Sequence, residues 1–211
     1  MTSHKANQLQ ETRKMIIKTA KKLFMESGYR AVSTRQIADA CGLTQPALYH
    51  HFADKQSLYV EVMRTVCEGT QKALERIIKR EQAISECLYQ IVYYMIVNHP
   101  DDLSTMFHDI RQEMSPESQQ LIQKCWFQAY MAPVISVFEA GQKDGRLRDS
   151  GQFGIDPVMS ARLLLGLINQ SLMVSPVPNA NTRLPEKKGW DQSARMLVNL
   201  MLHGLAEPGK P

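Results

Sequence analysis

Apolar side chains recur three and four residues apart almost throughout this 211-residue chain, and no segment alternates as a half-buried strand does. That period confines the chain to an all-α fold of helices packed on helices. The clearest stripe is Leu121, Ile122, Cys125, Trp126, Ala129, Tyr130, Val134, Val137 and Phe138, in a helix expected over 116–143. Pro133 lies inside it and should kink it, because a prolyl ring removes a backbone donor and crowds the preceding turn. Further helices are expected at about 8–27, 34–40, 45–52, 54–80, 82–98, 101–113, 155–174 and 190–206. Ser33 or Thr34, Thr44 and Asp54 are their natural N-caps, and Gly28 and Gly42 their stops. Residues 175–189 hold three prolines and no period, which reads as a long loop.

Charge divides the chain unevenly. The first 60 residues carry nine basic side chains against four acidic ones, and the remainder sixteen against seventeen. The whole excess of +4 therefore belongs to the N-terminal end, which suits a polyanionic partner there, although a solvated basic face would show the same balance. The longest apolar run, 91–97, is too short to span a bilayer, and residues 1–10 have no apolar signal core. A soluble cytoplasmic chain is the expectation, with no membrane partner. Its four cysteines, at 41, 67, 87 and 125, have no C-x-x-C spacing and read as small buried hydrophobes. No catalytic or nucleotide-binding fingerprint occurs, so an enzyme is not expected, nor a cofactor or metal. His50 and His51 are adjacent on a helix and point about 100° apart, which disqualifies them as a ligand pair.

Residues 34–51 have the layout of a helix-turn-helix: two short helices about a turn at Gly42. Ile37, Ala38, Leu43 and Leu48 supply its inner contacts. The outward residues of the second helix are unlike those of a solvated helix, which carries Glu and Lys. Gln45 suits adenine N6/N7, Pro46 and Ala47 suit a thymine methyl, and Tyr49, His50 and His51 can donate to phosphates.

Residues 13–59 resemble the DNA-binding domain of the TetR family of bacterial transcriptional regulators. The resemblance rests on Ala20, Leu23-Phe24, Gly28-Tyr29, Ile37-Ala38, Ala40-Cys41-Gly42-Leu43, Ala47-Leu48-Tyr49, His51-Phe52, Lys55 and Leu58. It implies a DNA-binding domain over 1–54 and an all-helical ligand-binding and dimerisation domain over 55–211. It implies further a homodimer reading an inverted-repeat operator in double-stranded DNA. Carried over by position, Gln45, Pro46, Ala47 and His50 fall where relatives contact bases, and Thr34, Thr44, Tyr49, His51 and Lys55 where they contact phosphates. Ala47 departs from the commoner Thr or Gly, which leaves the base it meets open.

The resemblance also implies a small-molecule effector, expected to be largely apolar, that releases a repressor through the helix of 55–80. Met106, Phe107, Ile110, Arg111, Trp126 and Tyr130 are the expected pocket, although each also reads as core, and Arg111 as an ion-pair partner of Asp109 or Glu113. Leu163, Leu164, Leu167, Ile168, Leu197 and Met201 are the expected dimer interface, with closure of the monomer core as the alternative. Two rival readings are an all-helical enzyme or lipid carrier with a basic N-terminal cap, and a regulator without a small-molecule effector.

Overall fold

A computed structural model describes residues 2–98, 110–148, 150–173 and 187–204. Among them every regular element is helical, and none is long and apolar enough to cross a membrane. The first helix, α1 (Thr2–Ala31), starts before the expected Gln8 because no proline or glycine interrupts residues 2–7. Gly28 breaks it with φ 77°, a left-handed conformation that side chains with a Cβ disfavour. α2 (Thr34–Ala40) begins with a reciprocal cap: Gln36 N–H donates to Ser33 Oγ at 3.2 Å and Ser33 N–H to Gln36 Oε1 at 2.7 Å. The turn into α3 (Gln45–Tyr49) pivots on Gly42 at φ 67°; nothing lies within 4 Å of a Cβ placed there, so backbone angle rather than space demands the glycine. Asp54 caps α4 (Lys55–Arg80) by accepting the Ser57 N–H at 2.6 Å.

α5 (Ile84–Asn98) follows. The single helix expected over 116–143 is three pieces: α6 (Pro116–Trp126), a π-helical turn (Phe127–Met131) and α7 (Ala132–Lys143). Pro133 stands in the first turn of α7 and cannot donate to the turn before it, and the backbone there takes a π turn where a simple kink was expected. α8 (Ser150–Phe153) is a single unanticipated turn. Asp156 opens α9 (Pro157–Met173) by accepting the Met159 N–H at 2.6 Å. α10 (Lys187–His203) stops at Gly204, φ 72°, short of the expected 206. Of the expected helix over 101–113 only 110–113 are described, and they are helical; residues 175–186 of the expected loop lie outside the described residues, and 187–189, expected as loop, form the first turn of α10.

The chain packs as two compact units, Met1–Gly69 with Pro100–Trp126, and Thr70–His99 with Phe127–Pro211. The first unit is larger than the helix-turn-helix head because Ile110, Met114 and Ile122 enter the same core as Ile16, Ile37, Leu48 and Leu58. Phe24, Tyr29 and Tyr59 meet at its centre, with ring centroids 4.9–5.8 Å apart. Gln56 ties the start of α4 to the start of α6: its Nε2 donates to Ser118 Oγ at 2.9 Å and its Oε1 accepts the Ser115 N–H at 3.0 Å.

In the second unit α5 packs broadly against α10. The Tyr89 hydroxyl donates to the Asp191 carboxylate, which also accepts Arg195 Nε at 3.1 Å, and the Arg195 guanidinium covers the Tyr89 ring. Leu88, Ile91, Val134, Leu164, Ile168 and Leu197 belong to the buried interior of this unit.

Candidate nucleic-acid interface

The head is built so that α3 is anchored by one side chain and displays the rest. Leu48 is fully buried, as are Ile37 and Ala38 of α2, the small alanine giving the helices room to approach. Thr44 caps α3, its hydroxyl oxygen accepting the Ala47 N–H at 3.3 Å. Pro46 falls in the first turn, where a missing N–H costs nothing. With Leu48 turned inward, Pro46, Tyr49 and His50 are exposed and Gln45 and Ala47 half-exposed. Five residues rise about 7.5 Å, well within a major groove about 12 Å wide.

The polar residues of this surface are linked. Gln45 Nε2 donates to Thr34 Oγ1 at 2.9 Å, and the same oxygen lies 3.2 Å from the Tyr49 hydroxyl. Thr34 is only 8% exposed, so the positions expected to touch DNA include one that is turned into the head. Thr44 is exposed and His51 half-buried. Lys55 opens α4 with its ammonium 4.1 Å above the Tyr29 ring, and Tyr29 is held above its usual phenol range chiefly by burial.

Sequence reasoning missed Arg13. From α1 it donates to the His51 carbonyl at 2.7 Å, covers the Phe52 ring at 4.2 Å and faces Glu61 of α4 at 3.6 Å. Glu61 also takes Arg64 at 2.6 Å, and that hydrogen bond, aided by the charges of both arginines, holds its carboxyl below the usual range. Arg13 thus clamps the end of the helix-turn-helix onto α1. No local signal reveals it, since its partners lie 38 and more residues away in sequence. Arg35, in the first turn of α2, is exposed and has no ion-pair partner among the described residues.

The other expected sites fare differently. Met106 and Phe107 lie outside the described residues. Ile110 is buried in the core of the first unit. Arg111 is exposed, and Glu113 pairs instead with Arg30 at 3.1 Å. Trp126 is half-buried at the end of α6, and the Tyr130 hydroxyl accepts from Thr70 at 3.4 Å. In the second unit an open groove of about 290 Å³ runs between α4 and the π turn with α7, lined by residues such as Gln71, Glu75, Lys79, Gln128, Pro133 and Ser136. Of the expected interface residues, Leu164, Ile168 and Leu197 are interior, whereas Leu163 is 44% exposed and Leu167 and Met201 are intermediate. Met159 and Met196, which the sequence reading left out of that set, are 44% and 57% exposed. Among the described residues no cluster of three His, Cys, Asp or Glu is placed to hold a metal.

A short helix displayed by a capped, tightly packed helix-turn-helix on an otherwise helical chain defines a DNA-binding regulator. Residues 16–62 match the bacterial regulatory proteins of the tetR family. The repressor KstR2 of Rhodococcus jostii is 28% identical over 159 residues, covering 71% of this chain and 72% of that protein. The TetR-family regulator PfmR of Thermus thermophilus superposes with a TM-score of 0.67 at 26% identity, over 91% of this chain and 99% of that one. FadR of Bacillus subtilis, solved with stearoyl-CoA, shares the fold at a TM-score of 0.70 and 15% identity, over 91% and 96%. The head therefore carries the DNA-binding domain of the tetR family, and over most of its length the chain is similar to transcriptional regulators rather than to enzymes.

Proposed function

We propose that this regulator is a homodimeric repressor that binds an inverted-repeat operator and is released by a small, largely apolar effector. Residues 1–54 act as the DNA-binding domain and 55–211 as the effector-binding and dimerisation domain. The observation that carries the reading is the outward chemistry of α3: with Leu48 buried, Gln45, Pro46, Ala47 and His50 remain for base edges. Thr44, Tyr49, His51 and Lys55 contact flanking phosphates. The repressor name of the Rhodococcus relative supports the sign of regulation.

Dimerisation uses the outer faces of α9 and α10. Met159 and Leu163 stand four residues apart on α9, and Met196 and Leu200 four apart on α10. Met159, Leu163 and Met196 are exposed and Leu200 is half-buried, and apolar side chains in such rows are better covered by a second copy than by water. The groove beside the π turn supports an effector site, with Ile78, Ala132 and Pro133 as apolar wall. α4 reaches from Lys55 to the groove residues Gln71, Glu75 and Lys79, so one continuous helix links the phosphate contact to the effector site. By linkage, an effector that weakens operator binding is itself weakened by the operator to the same degree, on a scale of about 1–3 kcal/mol.

The test is selection of bound sequences from random duplex DNA, followed by a screen of acyl thioesters and other amphipathic small molecules for release. The expected result is a pseudo-palindrome with half-site centres about one turn, roughly 34–36 Å, or a multiple of it apart. Absence of any enriched sequence overturns the reading. Operator complexes that no compound dissociates overturn the effector half of it.

A further inference from the structure

We infer that Thr34 is a specificity-positioning residue: its buried hydroxyl holds the Gln45 amide in the orientation in which that amide meets a base. The inference rests on the reading of Gln45 as a base contact and adds what controls it. Gln45 Nε2 donates to Thr34 Oγ1 at 2.9 Å, across eleven residues and from one helix of the motif to the other. The same oxygen is 3.2 Å from the Tyr49 hydroxyl, so Thr34 joins the first and last residues of α3.

Two properties make this bond consequential. Thr34 is 8% exposed, so water competes poorly for its hydroxyl and the bond persists before DNA arrives. A carboxamide has two N–H donors and one carbonyl acceptor; Thr34 occupies one N–H and leaves one N–H and the carbonyl. Those two groups are what adenine N7 and N6 require for a bidentate contact. A Gln side chain also loses its rotamer freedom on docking, and Gln45 has lost much of it already in the free protein. The base is therefore chosen by Gln45, but the sharpness of the choice is set by a residue that touches no base.

Thr34 is the first residue of α2 and not its cap, so Thr34→Val keeps the Ser33–Gln36 capping box and the β-branched shape while deleting the hydroxyl. The experiment measures base preference by quantitative selection from random duplexes for the full-length wild type, T34V, T34S, Q45A and T34V/Q45A, with thermal melting of each. T34V is expected to flatten the preference at the base pair that Q45A affects, by about two- to tenfold, while its binding to random DNA is unchanged. T34S restores the hydroxyl and the preference, and T34V adds nothing on top of Q45A. T34A, with the same loss of hydroxyl, serves if T34V melts early. If T34V and T34A leave the preference intact while Q45A removes it, Thr34 has no positioning role and the Gln45 reading stands. If Q45A itself changes no preference, the Gln45 reading fails first. Equal loss on all duplexes makes Thr34 a phosphate contact, as the family resemblance implied, and also refutes the proposal.

Discussion

Replacing Arg13 by alanine removes three interactions at once, and the structure sizes each. The hydrogen bond from the guanidinium to the His51 carbonyl is charge-assisted and partly buried, which is worth roughly 1.5–3 kcal/mol. The guanidinium 4.2 Å above Phe52 adds about 0.5–1 kcal/mol at a half-exposed site. The Glu61 contact, 3.6 Å long with the Arg13 side chain 40% exposed, adds close to nothing after screening. Because the three share one side chain they are not independent, and Arg13→Ala should cost about 2–3 kcal/mol. Urea unfolding followed by helical circular dichroism measures this, with Arg13→Lys as control: it keeps the charge and loses the planar fork, and recovers only part of the loss. Operator affinity should fall with head stability even though Arg13 is given no DNA contact. A loss under about 0.5 kcal/mol would mean that the clamp is a surface contact and that the head is held by its apolar core alone.

Three further outcomes follow from burial and charge. Leu164→Glu buries an unpaired carboxylate in the interior and should unfold the second unit, whereas Leu163→Glu should leave a folded monomer in sedimentation; a dimer that survives Leu163→Glu locates the interface elsewhere. Burial pushes the Cys67 thiol up to about 12 and Cys87 to about 11, so at pH 8 an aromatic disulfide reagent should titrate Cys41 and Cys125 and reach the other two only on unfolding. Glu61 has a folded pKa below its unfolded one, so its stabilisation is full above the unfolded value and is lost as pH falls through the folded value. Glu61→Gln should therefore lower stability at neutral pH and flatten the fall of stability with decreasing pH in the acid limb, while leaving the slope above pH 6 unchanged, and an unaltered acid limb would refute the assignment.

The head was legible because its signals are local. Ser33, Thr44 and Asp54 cap the helices that follow them, and Gly42 takes the left-handed angle that its place between two short helices requires. Long-range pairing was not legible: Arg13 finds Phe52, and Gln45 finds Thr34, only once the chain has folded. Amphipathic spacing also left two adjacent leucines undecided. Leu163 and Leu164 differ by about 100° around α9, and which of them faced inward depended on helices packed against it that periodicity does not orient. Pro133 announced a disturbance, but the choice between a kink and a π turn belongs to the packing of the residues around it.

The central claim is that α3 reads sequence through Gln45, and a direct comparison tests it. The affinity of wild type and Gln45→Ala is measured by titration on the selected operator, on operators changed at single symmetric base pairs, and on random duplex, all at one salt concentration. The account predicts that Gln45→Ala loses roughly 1–3 kcal/mol on the operator, is indifferent to substitution at one base pair per half-site, and binds random duplex as the wild type does. Equal losses on operator and random duplex, with every base-pair preference retained, would contradict it.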